Sequence, residues 1–268
     1  MARTFELGAT DYLVRPVEDD ALNPMIARLV TESVERSWET LNANQKSALK
    51  MSLKSFEGCF DAARNGEPLP VDDIKESCRL VVDAVGADGV DACMKAVRGQ
   101  HNYTFRHSMF VSGYLVSLGY AASIQGDDLR KLALGGMLHD IGKSQVPLDV
   151  LDSPNRLDDD EWIVMRRHPD HSETILETMK DRLDPDIVAM AVRHHEKLDG
   201  TGYPYGLPGT DLSDLVRMTA IVDVYSGLID KRSYKDPMSR EDAFGILSSM
   251  DGHLDLELVG GFRRLMLD

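Results

Sequence analysis

Apolar residues recur every three to four positions over much of this 268-residue chain. This spacing places them on one face of an α-helix, so it predicts amphipathic helices that pack their apolar faces together. The signal for a β-strand is nearly missing, and its nearest approach is the short apolar run at 11–15, which Pro16 ends. We therefore predict an all-α fold with at most one short strand near residues 11–15. The helical stripes comprise Leu22, Met25, Ile26, Leu29 and Val34, then Leu49, Leu53, Phe56, Phe60 and Ala63, then Ile74, Cys78, Val81 and Val85.

The composition excludes several classes of protein. The formal net charge of −15 argues against a nucleic-acid polymer as partner, because nonspecific binding needs a basic face. No apolar run approaches the roughly 20 residues that cross a bilayer, and the first residues lack the apolar core of a signal peptide. The three cysteines have no CxxC spacing and are expected to be reduced thiols. We therefore expect a cytoplasmic protein without a membrane partner.

Two helical units are predicted along the chain. Residues 98–100, Arg-Gly-Gln, break the helical pattern and suggest a boundary between an N-terminal helical region at 1–98 and a second unit at 99–268. The N-terminal helices are expected to regulate the second unit by packing on it, or to form a homodimer. Within the second unit, Asp158 and Glu161 have the spacing of a capping box, which predicts the start of a helix.

Histidine and aspartate residues gather at several predicted helix ends. Each histidine alone has an ordinary explanation, since one near a helix end is more often a cap or a satisfied buried group than a ligand. Asp223 is different, because an acid within the apolar stretch at 218–228 is costly unless it is paired or bound to a metal. His194 and His195 point about 100° apart on a helix, so they are expected to reach different partners. The candidates are His107, His139, Asp140, His168, His194, His195 and Asp223.

This set of side chains indicates a metal site with more than one ion. Imidazole and carboxylate together favour iron, manganese or zinc over calcium or magnesium. Asp140 has two oxygens with which it could bridge two ions, and two ions about 3.5–4 Å apart can clamp a phosphoryl group and generate hydroxide from water. Lys143 lies three residues after Asp140, where it could contact phosphate oxygens or aid the leaving group.

Several segments, in this order, resemble the motifs of the HD-GYP family, a subgroup of the HD phosphohydrolase superfamily. The resemblance runs from Tyr103 to about Lys235, and residues 194–204 match the family's signature HHE-x-x-DG-x-GYP in full. The matching segments are Tyr103-Thr104-Phe105-Arg106-His107-Ser108, His139-Asp140-Ile141-Gly142-Lys143, His168-Pro169, His194 to Pro204, Asp223-Val224-Tyr225 and Arg232-Ser233-Tyr234-Lys235.

The resemblance implies an all-helical HD-domain bundle with phosphodiesterase activity. Its reaction would be the hydrolysis of cyclic di-GMP to linear pGpG, and to GMP after a second cut, by a metal-activated hydroxide. It implies two divalent transition-metal ions, iron or manganese before zinc, with Asp140 and Lys143 as catalytic residues. The implied metal ligands are His107, His139, Asp140, His168, His194, His195 and Asp223.

The same resemblance implies where the substrate binds. Gly202, Tyr203 and Pro204 would line the substrate loop, and Arg232 and Lys235 would meet the phosphates of cyclic di-GMP. Binding of a protein partner at the Gly-Tyr-Pro loop is a further possibility beside the binding of cyclic di-GMP.

Four positions depart from the family pattern. Tyr103 stands where some members have a glutamate and bind a third ion, so we expect two ions here. Ser172 replaces a glycine, Ser226 replaces an aspartate and Ser233 replaces a proline. Losing the acid at 226 removes a group that can orient the ligands, and such losses cost about 10- to 100-fold in activity or metal affinity.

These departures keep two alternatives open. The first is a weakly active or inactive module that binds cyclic di-GMP or a protein as an adaptor. The second is an HD phosphohydrolase that acts on another nucleotide, such as a nucleoside triphosphate or ppGpp, although the Gly-Tyr-Pro signature weighs against it.

Residues 5–16 resemble the closing strand and loop of a response-regulator receiver domain, with Arg15 at the usual lysine position. The sequence contains no phosphoacceptor strand before this segment. We therefore do not expect it to sense phosphorylation by itself.

Overall fold

A computed structural model of the chain describes residues 22, 25, 29, 32–36, 38–100, 102–153, 155–231 and 237–268. No β-strand occurs among these residues, and the prediction of an all-α fold is confirmed. The strand predicted near 11–15 and the receiver-like segment lie outside the described residues. Within the described residues, the α-helices with both ends defined are α1 (Ala43–Asn65), α2 (Val71–Asp88), α3 (Val90–Val97), α4 (Tyr103–Ala121), α5 (Asp127–Leu138), α6 (Leu148–Leu151), α7 (Asp159–Met165), α8 (His168–Glu177), α9 (Pro185–Arg193), α10 (Asp214–Ile229), α11 (Arg240–Ser248) and α12 (Leu256–Leu267).

Short polar side chains fix where several of these helices begin. The side chain of Asn102 accepts a hydrogen bond from the backbone N–H of Phe105 at the start of α4, and Ser213 caps α10 in the same way. The capping box predicted at Asp158 and Glu161 is present at the start of α7. Such caps satisfy N–H groups that the first turn of a helix leaves without a partner. They therefore set the register of α4 and α10, which carry candidate ligands.

Helix α4 is the centre of the bundle. Every residue from Thr104 to Val116 is buried, as expected for a helix that other helices surround on all sides. It contacts α1, α2, α3, α5, α10 and α12. A histidine near the start of this helix therefore lies deep inside the protein.

The N-terminal helices share one hydrophobic core with the rest of the bundle. The core extends from Trp38 to Met266, and α2 packs on both α4 and α5. All three cysteines are free and buried within the protein. The described helices include none that is long and apolar enough to cross a membrane. The core is continuous across residue 98. The domain boundary that the sequence suggests there stays a prediction.

Small residues allow α4 and α5 to approach each other closely. A Cβ atom on Gly136 would lie 2.7 Å from the Cα and 2.8 Å from the backbone nitrogen of Ser112. The Ser112 hydroxyl also donates a hydrogen bond of 2.9 Å to the carbonyl oxygen of Ala133. This close contact sets the spacing between His107, in α4, and His139, directly after α5.

Adding a methyl group at this contact is expected to strain the protein. Gly136→Ala should lower the free energy of unfolding by about 1–3 kcal/mol, because the added Cβ meets backbone atoms that cannot turn away. Gly245→Ala is the matched control, since a Cβ at this exposed position of α11 would meet nothing within 4 Å. It should raise the free energy of unfolding by about 0.5–1 kcal/mol through helix propensity. Urea unfolding of both variants measures the difference, and equal effects would contradict the close approach.

Candidate metal centre

The helix ends converge on one buried place in the bundle. His107 lies near the start of α4, His168 opens α8, and Asp223 lies within α10. The pairs at 139–140 and 194–195 directly follow α5 and α9. The structure brings all seven predicted ligand side chains together, and it leaves His195 and Asp223 partly exposed. The seven side chains are His107, His139, Asp140, His168, His194, His195 and Asp223.

Asp140 lies between two groups of histidines. Its Oδ2 atom is 3.2 Å from Nε2 of His139 and 3.7 Å from Nε2 of His107. Its Oδ1 atom is 3.3 Å from Nε2 of His168 and 3.9 Å from Nε2 of His194. One carboxylate therefore presents one oxygen to each group, as a bridging ligand must.

Asp223 also reaches both groups. Its Oδ1 atom is 2.9 Å from Nε2 of His107 and 3.8 Å from Nε2 of His139. Its Oδ2 atom is 4.0 Å from Nδ1 of His195. The two carboxylates thus connect a group formed by His107, His139 and Asp140 with a group formed by His168, His194 and His195.

Backbone carbonyl groups orient three of the histidines. The Nδ1 atom of His139 lies 2.8 Å from the carbonyl oxygen of Gly136. His168 and His194 make the same bond to the carbonyl three residues earlier, at 2.8 Å and 3.0 Å. A carbonyl oxygen only accepts, so Nδ1 of each ring must carry the proton. Nε2 is left with its lone pair toward the carboxylates, the arrangement that metal-binding histidines show.

Buried atoms without partners show that a cation fits this site. Among the described residues, Nε2 of His139 and Oδ1 of Asp140 are buried and make no hydrogen bond. A buried polar atom without a partner is costly, and in native proteins it usually indicates an ion or water. The donor set of imidazole nitrogens and carboxylate oxygens matches the preference of iron, manganese and zinc.

The protonation states also suit a metal. Burial lowers the pKa of His168 to about 3 and that of His194 to about 4. Burial opposes ionisation of Asp140, but His139 and Lys143 outweigh it and hold its pKa well below the usual value. His139 differs, because the nearby carboxylates overcome burial and raise its pKa. Apart from His139, the site thus favours neutral imidazoles, and its ionised carboxylates attract positive charge.

Lys143 is held next to Asp140 by a tight turn. It lies in the 3-10 turn Ile141–Gln145, and its Nζ atom is 2.5 Å from Oδ2 of Asp140. Gly142 is required in this turn, because a Cβ there would lie 1.9 Å from the carbonyl oxygen of His168. The backbone N–H of Gly142 donates to the hydroxyl of Ser172 at 3.0 Å. The serine that departs from the family pattern therefore ties the turn to α8, a contact that the sequence did not predict.

The Gly-Tyr-Pro loop is folded around a buried carboxylate. Glu196 is 1% exposed and accepts hydrogen bonds from the backbone N–H groups of residues 205, 206 and 207, at 2.7, 3.1 and 3.0 Å. Gly202 lies against it, since a Cβ at 202 would be 2.4 Å from the Cα of Glu196. Pro204 follows Tyr203 through a cis peptide bond. Gly202 and Pro204 therefore belong to the turn itself, while Tyr203 faces the cavity.

Tyr203 lies in a stack of three side chains. Its ring packs on the ring of His195, with centroids 4.7 Å apart and planes 24° from parallel. The guanidinium carbon of Arg166 lies 4.3 Å from the centroid of the Tyr203 ring. The backbone N–H of Tyr203 also donates to the carbonyl of His195 at 3.2 Å. The loop therefore fixes the orientation of His195, whose ring faces Asp223.

A buried ion pair supports the site from one side. Nε of Arg106 lies 2.9 Å from both carboxylate oxygens of Asp230. Its terminal nitrogens donate to the carbonyl groups of Gln100 and Lys231. The pair thereby joins the start of α4, beside His107, to the end of α10. No local sequence signal relates residues 124 positions apart, so sequence reasoning missed it.

The candidate ligands open onto a cavity of about 740 Å³. His107, His168, His195 and Asp223 line it, together with Lys143 and Lys231. This volume suits a small organic ligand. The predicted phosphate contacts Arg232 and Lys235 lie outside the described residues.

Comparisons with known proteins agree with this geometry. The family model for the HD domain matches residues 91–258 and thus begins within α3, ahead of the predicted boundary. A solved HDG"Y"P protein from Bdellovibrio bacteriovorus shares the fold with a TM-score of 0.68 at 19% identity, over 92% of this chain and 81% of that chain.

Two relatives have names that state an activity. A cyclic di-GMP phosphodiesterase of Pseudomonas aeruginosa is 30% identical over 262 residues, which cover 96% of this chain and 60% of the relative. A 3'3'-cGAMP-specific phosphodiesterase of Vibrio cholerae is 36% identical over 187 residues, which cover 69% of this chain and 36% of the relative. The chain thus spans less than two thirds of the length of each.

The Glu196 carboxylate is expected to hold the Gly-Tyr-Pro loop in place. Glu196→Gln keeps the shape but replaces one accepting oxygen by a donor, so it should lower the free energy of unfolding by about 1–3 kcal/mol. Glu173→Gln is the matched control, because Glu173 contacts the same loop only through the exposed Tyr205 hydroxyl. Its effect should stay within about 0.5 kcal/mol. Urea unfolding compares the two, and a neutral Glu196→Gln would contradict the assigned contacts.

Proposed function

The chain belongs to the HD domain family, and from this premise we propose that it is a metal-dependent phosphodiesterase that hydrolyses cyclic di-GMP. The product is linear pGpG, and GMP after a second cut. The observation that carries the proposal is the position of Asp140, with one carboxylate oxygen toward each of two histidine groups. An intact Gly-Tyr-Pro loop beside this cluster supports a phosphodiester substrate.

The proposed centre would hold two divalent ions of iron or manganese, with zinc as a further choice. His107 and His139 would hold one ion, and His168, His194 and His195 would hold the other. Asp140 and Asp223 reach both groups and would serve both ions. When bound, such a pair of ions clamps a phosphoryl group and lowers the pKa of water.

Lys143 is proposed as the catalytic lysine of the chain. Its ammonium group is bonded to Asp140 and also lines the cavity, so it can face a phosphate oxygen. A positive charge fixed there stabilises negative charge that develops on the phosphate or on the leaving oxygen. Lys231 lines the same cavity and adds a second cation. Arg232 and Lys235 follow it in sequence, and we propose them as further phosphate contacts on the family pattern.

Tyr203 is proposed to position His195 and to border the substrate. His195 packs on one face of the Tyr203 ring, and Arg166 packs on the other face. This stack restricts the rotation of the His195 ring, which points Nδ1 toward Asp223. Gly202 and Pro204 act through the shape of the turn. The loop thus links substrate contact to ligand geometry.

The names of the relatives support a cyclic dinucleotide as the substrate. One relative is named for cyclic di-GMP and another for 3'3'-cGAMP, which share two phosphodiester bonds in one ring. The cavity of about 740 Å³ has room for a ligand of this kind. A panel of cyclic di-GMP, 3'3'-cGAMP, ppGpp and a nucleoside triphosphate separates these substrates.

A second candidate function is an adaptor with little catalysis. The observation that favours it is Ser226, which is buried within α10 and whose hydroxyl makes no hydrogen bond with described residues. The family pattern has an aspartate here, which could orient a ligand. An adaptor would bind cyclic di-GMP or a protein at the Gly-Tyr-Pro loop without turning substrate over.

Loss of the bridging carboxylate is expected to remove both the metal and the activity. Protein purified without air and loaded with iron or manganese should convert cyclic di-GMP to pGpG and contain about two ions per chain. Asp140→Asn should lose most metal and all measurable turnover, because Asp140 serves both histidine groups. Asp170→Asn, an exposed change on α8, is the control that should keep both.

Chromatography of the products and metal analysis of the same samples decide between the two functions. Cyclic di-GMP binding without turnover, surviving in Asp140→Asn, would favour the adaptor. Turnover of only 3'3'-cGAMP would keep the reaction type and correct the substrate.

Replacing Lys143 is expected to lower the rate of hydrolysis without changing metal binding. Lys143→Met should lower kcat by on the order of 10²-fold, as loss of a charge-stabilising group does. Its metal content should match that of wild type, because lysine is not among the proposed ligands. Lys180→Met, an exposed change remote from the cavity, should alter neither quantity. Loss of metal in Lys143→Met would assign the lysine a structural role instead.

A further inference from the structure

Part of the cavity wall carries exposed or half-buried apolar side chains. It is built from α6, α7 and the chain between them, and neither helix contains a buried residue. Its apolar side chains therefore face the cavity or solvent and not the core. The apolar side chains that line the cavity here are Val150, Leu151, Leu157, Trp162 and Met165, and the polar Asp152, Ser153, Asn155 and Arg156 line it beside them.

Trp162 stands out on this wall. It is 48% exposed, although tryptophan is the largest side chain and is usually well buried. The chain's other tryptophan, Trp38, is fully buried and donates a hydrogen bond of 2.8 Å to the carbonyl of Ala96. An indole face that the fold leaves uncovered at the edge of a cavity is a platform for a planar ligand group.

The residues that line the cavity include partners for both parts of a cyclic dinucleotide. Its phosphates lie in the central ring and need the ligands and Lys143, while its bases project from the ring as flat aromatic groups. A phosphate at the cluster directs a base toward the surrounding wall, and there the exposed aromatic ring is that of Trp162. Base stacking on tryptophan is favourable for any base, because every base has a π-face.

We propose that Trp162 binds a nucleobase of the substrate by stacking, and that it is a substrate-binding residue of this phosphodiesterase. The inference rests on the proposed function. The competing explanation is a docking patch for a protein, since Ile163 and Leu148 are also exposed, at 63% and 54%. These two residues do not line the cavity, whereas Trp162 does. The position of Trp162 therefore favours the substrate over a protein partner.

Kinetic measurements on three variants test the stacking. Trp162→Leu keeps an apolar side chain but removes the π-face, so KM for cyclic di-GMP should rise about 5- to 150-fold with kcat little changed. Trp162→Phe keeps a smaller π-face and should fall between wild type and Trp162→Leu. Ile163→Ala is the matched control and should leave KM unchanged. Equal KM values for wild type and Trp162→Leu would overturn the inference.

Binding measurements separate this inference from the proposed function. GMP and ribose 5-phosphate differ only by the base, and each is titrated into manganese-loaded protein while tryptophan fluorescence is recorded. GMP should bind more tightly than ribose 5-phosphate and quench the signal of Trp162, and both effects should disappear in Trp162→Leu.

The outcomes of the two tests are distinguishable. If wild type makes pGpG but GMP neither quenches nor outcompetes ribose 5-phosphate, the stacking is wrong and the phosphodiesterase stands. If wild type turns over no cyclic dinucleotide but GMP still quenches Trp162, the site binds a base and the proposed activity is wrong. Thermal melting of each variant confirms that it is folded.

Discussion

The carboxylate of Asp140 is the constraint around which the bundle is organised. It is 1% exposed, and an ionised group removed from water costs several kcal/mol unless other groups compensate it. Compensation comes from separate parts of the chain: His107 in α4, His139 directly after α5, His168 in α8 and the ammonium of Lys143 in the Ile141–Gln145 turn. One end of each of these helices must therefore lie close to Asp140. The close contact of α4 with α5 and the Gly142 turn are the packing that allows this.

In this protein the same hydrogen bonds end the helices and orient the candidate ligands. The last turn of an α-helix leaves carbonyl groups without partners, and these groups must find donors elsewhere when they are buried. Gly136, Met165 and Ala191 lie in the last turns of α5, α7 and α9, and each carbonyl accepts from Nδ1 of a histidine three residues later. The bond satisfies the helix end and fixes the tautomer of the ring. This explains why ligands at the ends of helices can be rigid without support from a sheet.

The sequence predicts those parts of the protein that depend on local patterns. The apolar stripes of α1 and α2, the capping box at Asp158 and the positions of the candidate ligands could all be read from spacing. The contacts of Ser172 with Gly142 and of Arg106 with Asp230 could not, because they join residues 30 and 124 positions apart. The sequence alone therefore does not tell whether a residue that departs from the family pattern gains a contact or loses one. Ser172 gains a partner in the fold, whereas the buried hydroxyl of Ser226 makes no hydrogen bond with the described residues.

An acidic chain can bind an anionic substrate if the charge is reversed locally. The chain carries a net charge of −15, and its cluster has no excess of positive charge, because the two ionised carboxylates offset the ammonium of Lys143 and the His139 ring, whose pKa is raised. Bound cations are the largest local charges in such a site and invert its field. A divalent ion in each histidine group would leave the cluster positive. Metal affinity and phosphate affinity are therefore linked through Asp140 and Asp223, and a change that weakens the ions weakens the binding of a phosphodiester as well.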